Sequence, residues 1–553
     1  MRIRSARSLA LLTAAVGGFV TPGVARAQVE LREIEADAAA TSLGASLANV
    51  GDIDGDAVAD LLIGAPYVLD QVTHRTGRAF VYSGLTGALL RTHDASATQD
   101  LYFGWSAAAI RDLDGDGLTD YVIGSPYASN SLGGVSAFSG ATGALLWERN
   151  GATVGEAFGY AVADAGDFDG DGASELLIGR PYTSEVDVYT STGTLLYSVH
   201  GQQNSYFGLS LVGLQDLTGD GVPEFAVGEP YFTDRTTAPA LTNAGRVRVY
   251  DGASGSIVKH SSGDAAFTYY GYTLGRAADL DADGFDDLLI GAPYAEGGGG
   301  AGTYRGLVRV QSSKQNVEIR THEGEHNGDQ LGGGVAGIGD VDLDGVPDYV
   351  LGATGASGGF GRVDLFSGAT GAELFQLESE EPYYFGSMLV GGDFNADGIG
   401  DWAVGQPYYY DGGDQGAVYL FAGCPPQASN YGAGWPGTIG IPGLDCTVKP
   451  AIDEICEIQI GNSASGLTFG LLFVGTSDAN LVTSAGGTLL VTPSFSVPFY
   501  VYGASTRMWA EIPDDEALCF ANAYLQAIEG DPGASNGLSF TPGLKITIGI
   551  LDL

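Results

Sequence analysis

The stretch DLDGDGLTDYVIGSPY, residues 112–127, sets four carboxylates and two glycines within nine residues and runs straight into an apolar segment. Like charges ~5 Å apart repel by on the order of 1 kcal/mol per pair in water, and by several times more near a protein surface. Such a loop beside a core strand therefore calls for a counter-charge. The stretch recurs as DIDGDAVADLLIGAPY from Asp52, DFDGDGASELLIGRPY from Asp167, DLTGDGVPEFAVGEPY from Asp216, DLDADGFDDLLIGAPY from Asp279, DVDLDGVPDYVLGATG from Asp340 and DFNADGIGDWAVGQPY from Asp393. These seven copies recur every roughly 50 to 60 residues, a length that suits four short strands with their turns.

Each unit reads as a strand before the acidic loop (GYAVADAG), a buried strand after it (ELLIG), a third strand (GRVRVYDG, GRVDLFSG), a Gly-rich turn (SGATG) and a fourth strand (ALLWERN). Seven such antiparallel units predict an all-β, seven-bladed β-propeller. A linear stack of sheets would instead need a capping unit at each end. The ends of the array favour the ring: the seventh unit stops after its third strand, GAVYLFAG. VELREIEADAAATSLG, residues 29–44, aligns with the fourth strand and exit loop of the first unit, ALLRTHDASATQDLYFG. The N-terminal segment is expected to complete the last blade and remove the exposed edges.

In the loop quoted first, Asp112, Asp114 and Asp116 stand at positions 1, 3 and 5, the carbonyl of Leu118 at 7 and Asp120 at 9. Alternating hard oxygen donors on a loop tightened by Gly117 suit calcium better than magnesium or zinc. The corresponding candidate ligands are Asp52, Asp54, Asp56 and Asp60 in the first loop and Asp167, Asp169, Asp171 and Glu175 in the third. The fourth offers Asp216, Asp220 and Glu224, with Thr218 in place of an acid at position 3; the fifth offers Asp279, Asp281, Asp283 and Asp287. The sixth offers Asp340, Asp342, Asp344 and Asp348, and the seventh Asp393, Asn395, Asp397 and Asp401. Solvated turns would explain one such loop; seven in register argue for up to seven bound Ca2+ ions. The second, fifth and sixth loops read as strongest and the fourth as weakest. Ala57 stands where the other loops have glycine, and a positive φ there would cost on the order of 1 kcal/mol.

The pattern FG…DxDGDG…D…IGxP, carried by Phe103-Gly104 through Pro126 and by Phe158-Gly159 through Pro181, resembles the FG-GAP repeat of the integrin α-subunit propeller. The resemblance covers residues 29–423. It implies a seven-bladed propeller with calcium in the loops between first and second strands, and an extracellular adhesion or ligand-binding role. Integrins use only some of their loops, which bears on the fourth and seventh here. No integrin leg domains and no spanning segment follow, so a receptor of that build is not expected.

The chain has 553 residues, a formal net charge of −43, 44% apolar residues, 88 glycines and 28 tyrosines. That charge excludes a basic nucleic-acid binder, and the apolar content excludes a disordered acidic chain. Residues 1–27 (Arg2, Arg4 and Arg7, a short apolar run, then Ala25-Arg26-Ala27) read as a signal peptide cleaved near Ala27, giving a secreted or cell-surface protein without a membrane span. Residues 28–423 form the propeller and 424–553 a small β-sandwich entered through a Gly/Pro-rich segment. Cys424, Cys446, Cys456 and Cys519 all lie in that second domain, compatible with two disulfides in any of three pairings. Its segment Tyr524 to Gly549 is similar to a C-terminal domain of many exported bacterial proteins, which implies an accessory role.

The propeller face opposite the acidic loops carries the loops that vary between units and tyrosines such as Tyr102, Tyr206 and Tyr269, with Arg75, Arg235 and Arg305 as scarce cations. Aromatics with a polar edge suit protein or glycan contacts, although the tyrosine that follows proline in six units is also expected to pack on its own blade. HEGEH, His322 to His326, has the zinc-protease spacing but falls after a strand, with Gly324 in its middle, where a shared helix face is not expected. GASGG at Gly355 to Gly359 has a nucleophile-elbow string, yet every histidine precedes Ser357. The expected function is a secreted, calcium-binding propeller acting as a binding module for an extracellular protein or glycan, not an enzyme. The alternative is a calcium-dependent polysaccharide lyase or hydrolase on the same scaffold.

Overall fold

The computed structural model describes residues 28–35, 42–67, 76–94, 102–296, 302–379, 384–407 and 416–423, and most of 427–547. Residues 1–27, Arg75, Cys424 and Cys519 lie outside the described residues. Contacts divide the chain into a unit spanning Glu30–Gly423 and another built on Cys424–Leu553.

The first unit consists of seven four-stranded sheets. Blade 1 is formed by Ser46–Gly51, Asp60–Ala65, Arg78–Tyr82 and Leu89–Asp94, in that spatial order and antiparallel. Blade 7 is formed by Met388–Gly392, Asp401–Gln406 and Ala417–Gly423, with Gln28–Glu35 hydrogen-bonded beside the last as its fourth strand. First strands lie side by side around the ring, and Ser46–Gly51 meets Met388–Gly392 where the ends join. Every second strand is a run of buried residues, LLIG in blade 1 and WAVG in blade 7, because it is sandwiched between neighbouring blades. Ile34, Leu43, Leu61, Phe80, Phe394 and Leu420 form one apolar cluster across the seam between blades 7 and 1.

The two glycines of the repeat explain the blade-to-blade spacing. A Cβ on Gly64, in the second strand of blade 1, would stand 2.0 Å from the carbonyl oxygen of Gly104, the FG glycine leading into blade 2. The same clash occurs for Gly124 against Gly159 at 2.2 Å and, closing the ring, for Gly405 against Gly44 at 2.3 Å. Backbone therefore packs on backbone at each junction, which no side-chain-bearing residue permits. Hydroxyls seal the contact: Ser46 Oγ donates to Gly104 O at 2.9 Å, Ser106 Oγ to Gly159 O at 2.9 Å and Thr273 Oγ1 to Gly332 O at 2.7 Å.

A second set of contacts joins the blades at their outer edges. In blades 1 to 5 the third residue of the fourth strand, and in blade 7 Arg32 of the N-terminal strand, reaches the turn between strands three and four of the next blade. Arg32 Nε donates to Gly84 O at 3.2 Å, Arg91 Nη2 to Ala141 O at 2.9 Å and Trp147 Nε1 to Ser191 O at 2.8 Å. Tyr197 Oη donates to Gly252 O at 2.5 Å, Lys259 Nζ to Lys314 O at 3.0 Å and Arg320 Nη2 to Ala369 O at 2.7 Å. Phe375 holds the same position in blade 6 and has no donor to give. Arg32 behaves as its equivalents do, so the N-terminal strand is a working fourth strand.

The second unit pairs a larger sheet, including Thr468–Gly475, Phe495–Val501 and Asn522–Gly530, with a three-stranded sheet of Leu444–Cys446, Ile455–Gly461 and Ser505–Glu511. Cys446 and Cys456 sit on neighbouring strands with their sulfurs 3.3 Å apart. Among the described residues no helix is long and apolar enough to cross a membrane.

Candidate metal centres and an aromatic face

Each acidic loop is wound around its first carboxylate. In loop 1, Asp52 Oδ1 accepts from Gly55 N at 2.7 Å and Asp56 N at 3.1 Å, and Asp52 Oδ2 from Ala57 N at 2.8 Å. Asp54 Oδ1 accepts from Asp56 N at 3.1 Å, and Asp56 Oδ1 from Val58 N at 2.9 Å. Loop 2 repeats this with Asp112, Asp114 and Asp116, and loop 3 closes on Asp167 with Asp169 and Asp171 holding the next turns. The pattern returns on Asp216 and Asp220, on Asp279, Asp281 and Asp283, on Asp340, Asp342 and Asp344, and on Asp393, Asn395 and Asp397. Donating N–H groups thus hold one side of each side chain, leaving other oxygen lone pairs for a cation.

Position 9 is the buried anchor. Asp60, Asp120, Asp287, Asp348 and Asp401 each accept from the position-2 N–H with one oxygen, and from the next turn's backbone (Gly84, Gly140, Ser313, Gly368 and Gly423) with the other. The longer Glu175 and Glu224 reach the position-2 N–H, Glu224 also bonding the Thr218 side chain, and neither reaches the next turn; Oε1 of each is buried without a partner. A buried carboxylate oxygen left bare costs on the order of 1–3 kcal/mol or more, which a cation would repay.

Carboxylate oxygens of positions 1, 3 and 9 lie within 4.8 Å of one another: Asp52 with Asp54 and Asp60, Asp112 with Asp114 and Asp120, Asp167 with Asp169 and Glu175, and Asp279 with Asp281 and Asp287. In the fourth loop, where Thr218 replaces position 3, Asp216, Asp220 and Glu224 meet within the same distance. Position 5 also serves the neighbouring turn: Ser83, Ser312 and Ser367 donate to Asp56, Asp283 and Asp344. Burial, with neighbouring acids adding to it and backbone N–H bonds opposing it, pushes Asp60 up to about 6, Glu175, Asp287 and Asp348 to about 7 and Asp401 to about 8. Asp120 and Glu224 move the same way for the same reasons. These all-oxygen sets fit a hard divalent cation.

The second strand carries the chain from an acidic loop to the opposite end of its blade, where rings gather. Three positions supply them. After the proline stand Tyr67, Tyr127, Tyr182, Tyr231 and Tyr294 in blades 1 to 5; in blade 6, where Thr354 replaces the proline, Gly355 holds the position. Before each FG pair the backbone is left-handed in all seven units: Tyr102, Tyr206, Tyr269 and Tyr384 there have φ of 68°, 55°, 54° and 59°, with Ser42, Ala157 and Gln330 in the others. After the FG pair, at the head of the axis-lining first strands, blades 2 to 5 carry Trp105, Tyr160, Leu209 and Tyr272; blades 6, 7 and 1 carry Gly333, Ser387 and Ala45.

The rings run from blade to blade without a break. Tyr67 meets Tyr102 at 5.1 Å between centroids, Trp105 meets Tyr160 at 5.3 Å, and Tyr182 meets Tyr206 at 5.7 Å. The arc continues through Tyr231 and Tyr269 at 5.1 Å to Tyr294 at 5.7 Å. Burial, then a tyrosine of the same blade (Tyr182 beside Tyr160, Tyr294 beside Tyr272), raises the Tyr160 and Tyr272 phenols, so both stay neutral. The repeated tyrosines pack on rings of their own blade, as the sequence led us to expect (Tyr182 on Tyr160, Tyr231 on Tyr206, Tyr294 on Tyr272), and Tyr182 and Tyr231 also reach the next blade, which was not expected. Tyr383 and Tyr408 to Tyr410 lie outside the described residues. The edge clasps led by Arg32 were missed altogether.

The two catalytic strings do not assemble. His322 is in the strand Glu318–Glu323 with Nε2 2.8 Å from Tyr349 Oη and its ring 4.0 Å from Phe366, while His326 is exposed on the following turn. Ser357 Oγ donates to Glu378 at 3.0 Å, on a single helical turn.

With this geometry in place, the chain can be compared with known proteins: the FG-GAP repeat family model matches residues 43–82, 103–138, 207–250 and 270–304, that is blades 1, 2, 4 and 5. Over part of its length the chain is similar to integrin α subunits. It is 29% identical over 286 residues to integrin alpha-V of Gallus gallus, covering 50% of this chain and 22% of that protein. It is 33% identical over 272 residues to integrin alpha-5 of Xenopus laevis, covering 47% and 21%. The chain thus spans about a fifth of the length of these relatives. Among solved structures it is similar to a europium-containing methanol dehydrogenase, at 9% identity, a TM-score of 0.37 and coverage of 66% of this chain and 87% of that one.

Proposed function

We infer that the protein is an exported, calcium-stabilised propeller that recognises an extracellular protein or glycan through the face opposite its metal loops. The observation that carries this reading is the division of labour along the second strands of blades 1 to 5: clustered carboxylates at one end, a continuous aromatic arc at the other. The similarity to integrin α chains supports an extracellular binding role, and the oxygen-only ligand sets support calcium over zinc or magnesium. In each loop the ion would be held by positions 1, 3, 5 and 9, with the position-7 carbonyl, fixing the first strand to the second and, through the position-9 carboxylate, to the outer turn.

The deciding experiment is a screen of the full mature chain against arrays of glycans and extracellular proteins in millimolar calcium and again in excess EDTA. Calcium-dependent capture of a member of either class is expected. Turnover of a polysaccharide in place of retention would overturn the reading.

A further inference from the structure

We propose that Cys446 and Cys456 are a disulfide site, closed by exchange with an oxidant of the disulfide class, and that the bridge clips the entry strand of the second unit onto its three-stranded sheet. This goes beyond the binding role proposed above and does not depend on it. Three observations carry it.

The first is placement. Leu444–Cys446 and Ile455–Gly461 are antiparallel neighbours, and Cys446 stands opposite Ile458. Side chains two residues apart share a face, so Cys456 lies on the same face as Ile458, diagonally across from Cys446. The sulfurs are 3.3 Å apart. A bond of about 2.05 Å needs only a small turn of the two side chains.

The second is the chemistry around the thiols. The face they share is apolar: Leu444, Ile458 and Ile460 are buried on it. Asp445, Glu457 and Arg507 alternate onto the opposite face, where Arg507 pairs with Glu457 at 3.1 Å. A cysteine made nucleophilic by its surroundings sits beside a cation or a helix N-terminus, whereas here the neighbouring thiol, then burial, pushes the Cys456 thiol up. All six histidines precede Cys424, so no imidazole of the second unit can complete a zinc site. Two sulfurs on one tetrahedral zinc would also stand further apart, at ~3.8 Å.

The third is the strand itself. It has three residues, lies at the edge of its sheet and is reached through a Gly/Pro-rich segment. So short an edge strand holds few ladder hydrogen bonds and opens readily. Its neighbour Ile455–Gly461 is paired along its whole length with Ser505–Glu511, and a bridge to that strand ties the entry down.

In the exchange, Cys446, the half-buried thiol, loses its proton to solvent and attacks one sulfur of the oxidant; the oxidant's S–S bond breaks, a mixed disulfide forms and one thiolate leaves. The buried Cys456 then gives up its proton and attacks the Cys446 sulfur, forming the bridge and expelling the second thiolate. Two thiols are oxidised to one disulfide, the oxidant is reduced to two thiols, and the two protons end on them.

The test uses the full chain, reduced, freed of reductant and incubated with glutathione disulfide, so that its result is independent of export. After an acid quench and alkylation in denaturant, cleavage at Asp453 or Glu454 separates the two cysteines. Mass spectrometry without reduction is expected to show their peptides joined, two hydrogens lighter than the sum of the thiols. In Cys456→Ala, Cys446 is expected to remain as a mixed disulfide with glutathione, and in Cys446→Ala capture of Cys456 is expected to be about tenfold slower. Limited proteolysis is expected to cut residues 424–446 severalfold faster in Cys446→Ala/Cys456→Ala than in the oxidised wild type. Both cysteines recovered as alkylated thiols, or either bridged to Cys424 or Cys519, would overturn the site. Equal capture rates would overturn the order of attack, and equal proteolysis the clip.

Discussion

Ala57 is held at φ 70°, where the equivalent Gly117, Gly172 and Gly284 have 90°, 96° and 91°. Its backbone cost was readable from the sequence because six aligned glycines define the position. Two residues earlier in each loop a second left-handed position was not readable, since Ala282, Leu343 and Ala396 occupy it in blades 5 to 7, at 61°, 59° and 59°. Ala57→Gly and Leu343→Gly are each expected to stabilise the protein by about 0.5–1 kcal/mol, seen as a higher urea midpoint with an unchanged m-value. His93 and His322 carry the pH dependence at this scale. Both pack on aromatic rings, bond to a tyrosine hydroxyl and are pushed down to about 4 by burial and a neighbouring arginine. The unfolded chain takes up their protons below about pH 6.5 and the folded chain only near 4, so their stabilisation is complete above 6.5 and is lost as pH falls toward 4. Urea titrations of His93→Gln/His322→Gln across that range are expected to show a shallower acid limb; an unchanged slope would exclude these residues.

At the scale of the element, the repeat signalled four strands per unit, and the described residues contain them in seven sheets. The acidic loops, the buried second strand and the Gly-rich turn could be read because each recurs with the same residue types. The outer-edge clasp could not: Arg32, Arg91, Trp147, Tyr197, Lys259 and Arg320 share a hydrogen-bond donor and nothing else, so no sequence pattern marks them. Arg320→Ala is expected to cost about 1.5–3 kcal/mol, the range for a charge-assisted hydrogen bond to partly buried carbonyls. Lysine at the same place should restore part of it, as Lys259 does in blade 4. Chemical denaturation of both variants in calcium provides the comparison.

For the whole molecule, seven acidic loops on one face predict that the ring depends on divalent cations. Excess EDTA is expected to lower the melting temperature, and millimolar calcium to restore it. The position-9 carboxylates make the size of that drop pH-dependent: raised toward 6–8 without a cation, they are protonated as pH falls, and protons then compete with the metal. The loss on chelation should be larger at pH 8 than at pH 5.5, and equal drops at both would count against metal at those residues. The arc of rings shows where legibility ended, because its members come from three separate positions in each unit and meet only when adjacent blades are set side by side. The strand Gln28–Glu35 carries a last consequence. Its partner, Ala417–Gly423, is the final stretch of the wheel to be synthesised, so the first residues made must wait almost four hundred others before they can pair. A break anywhere in blade 7 therefore injures both ends of the wheel at once, and a protease nick there would unlatch it rather than trim it.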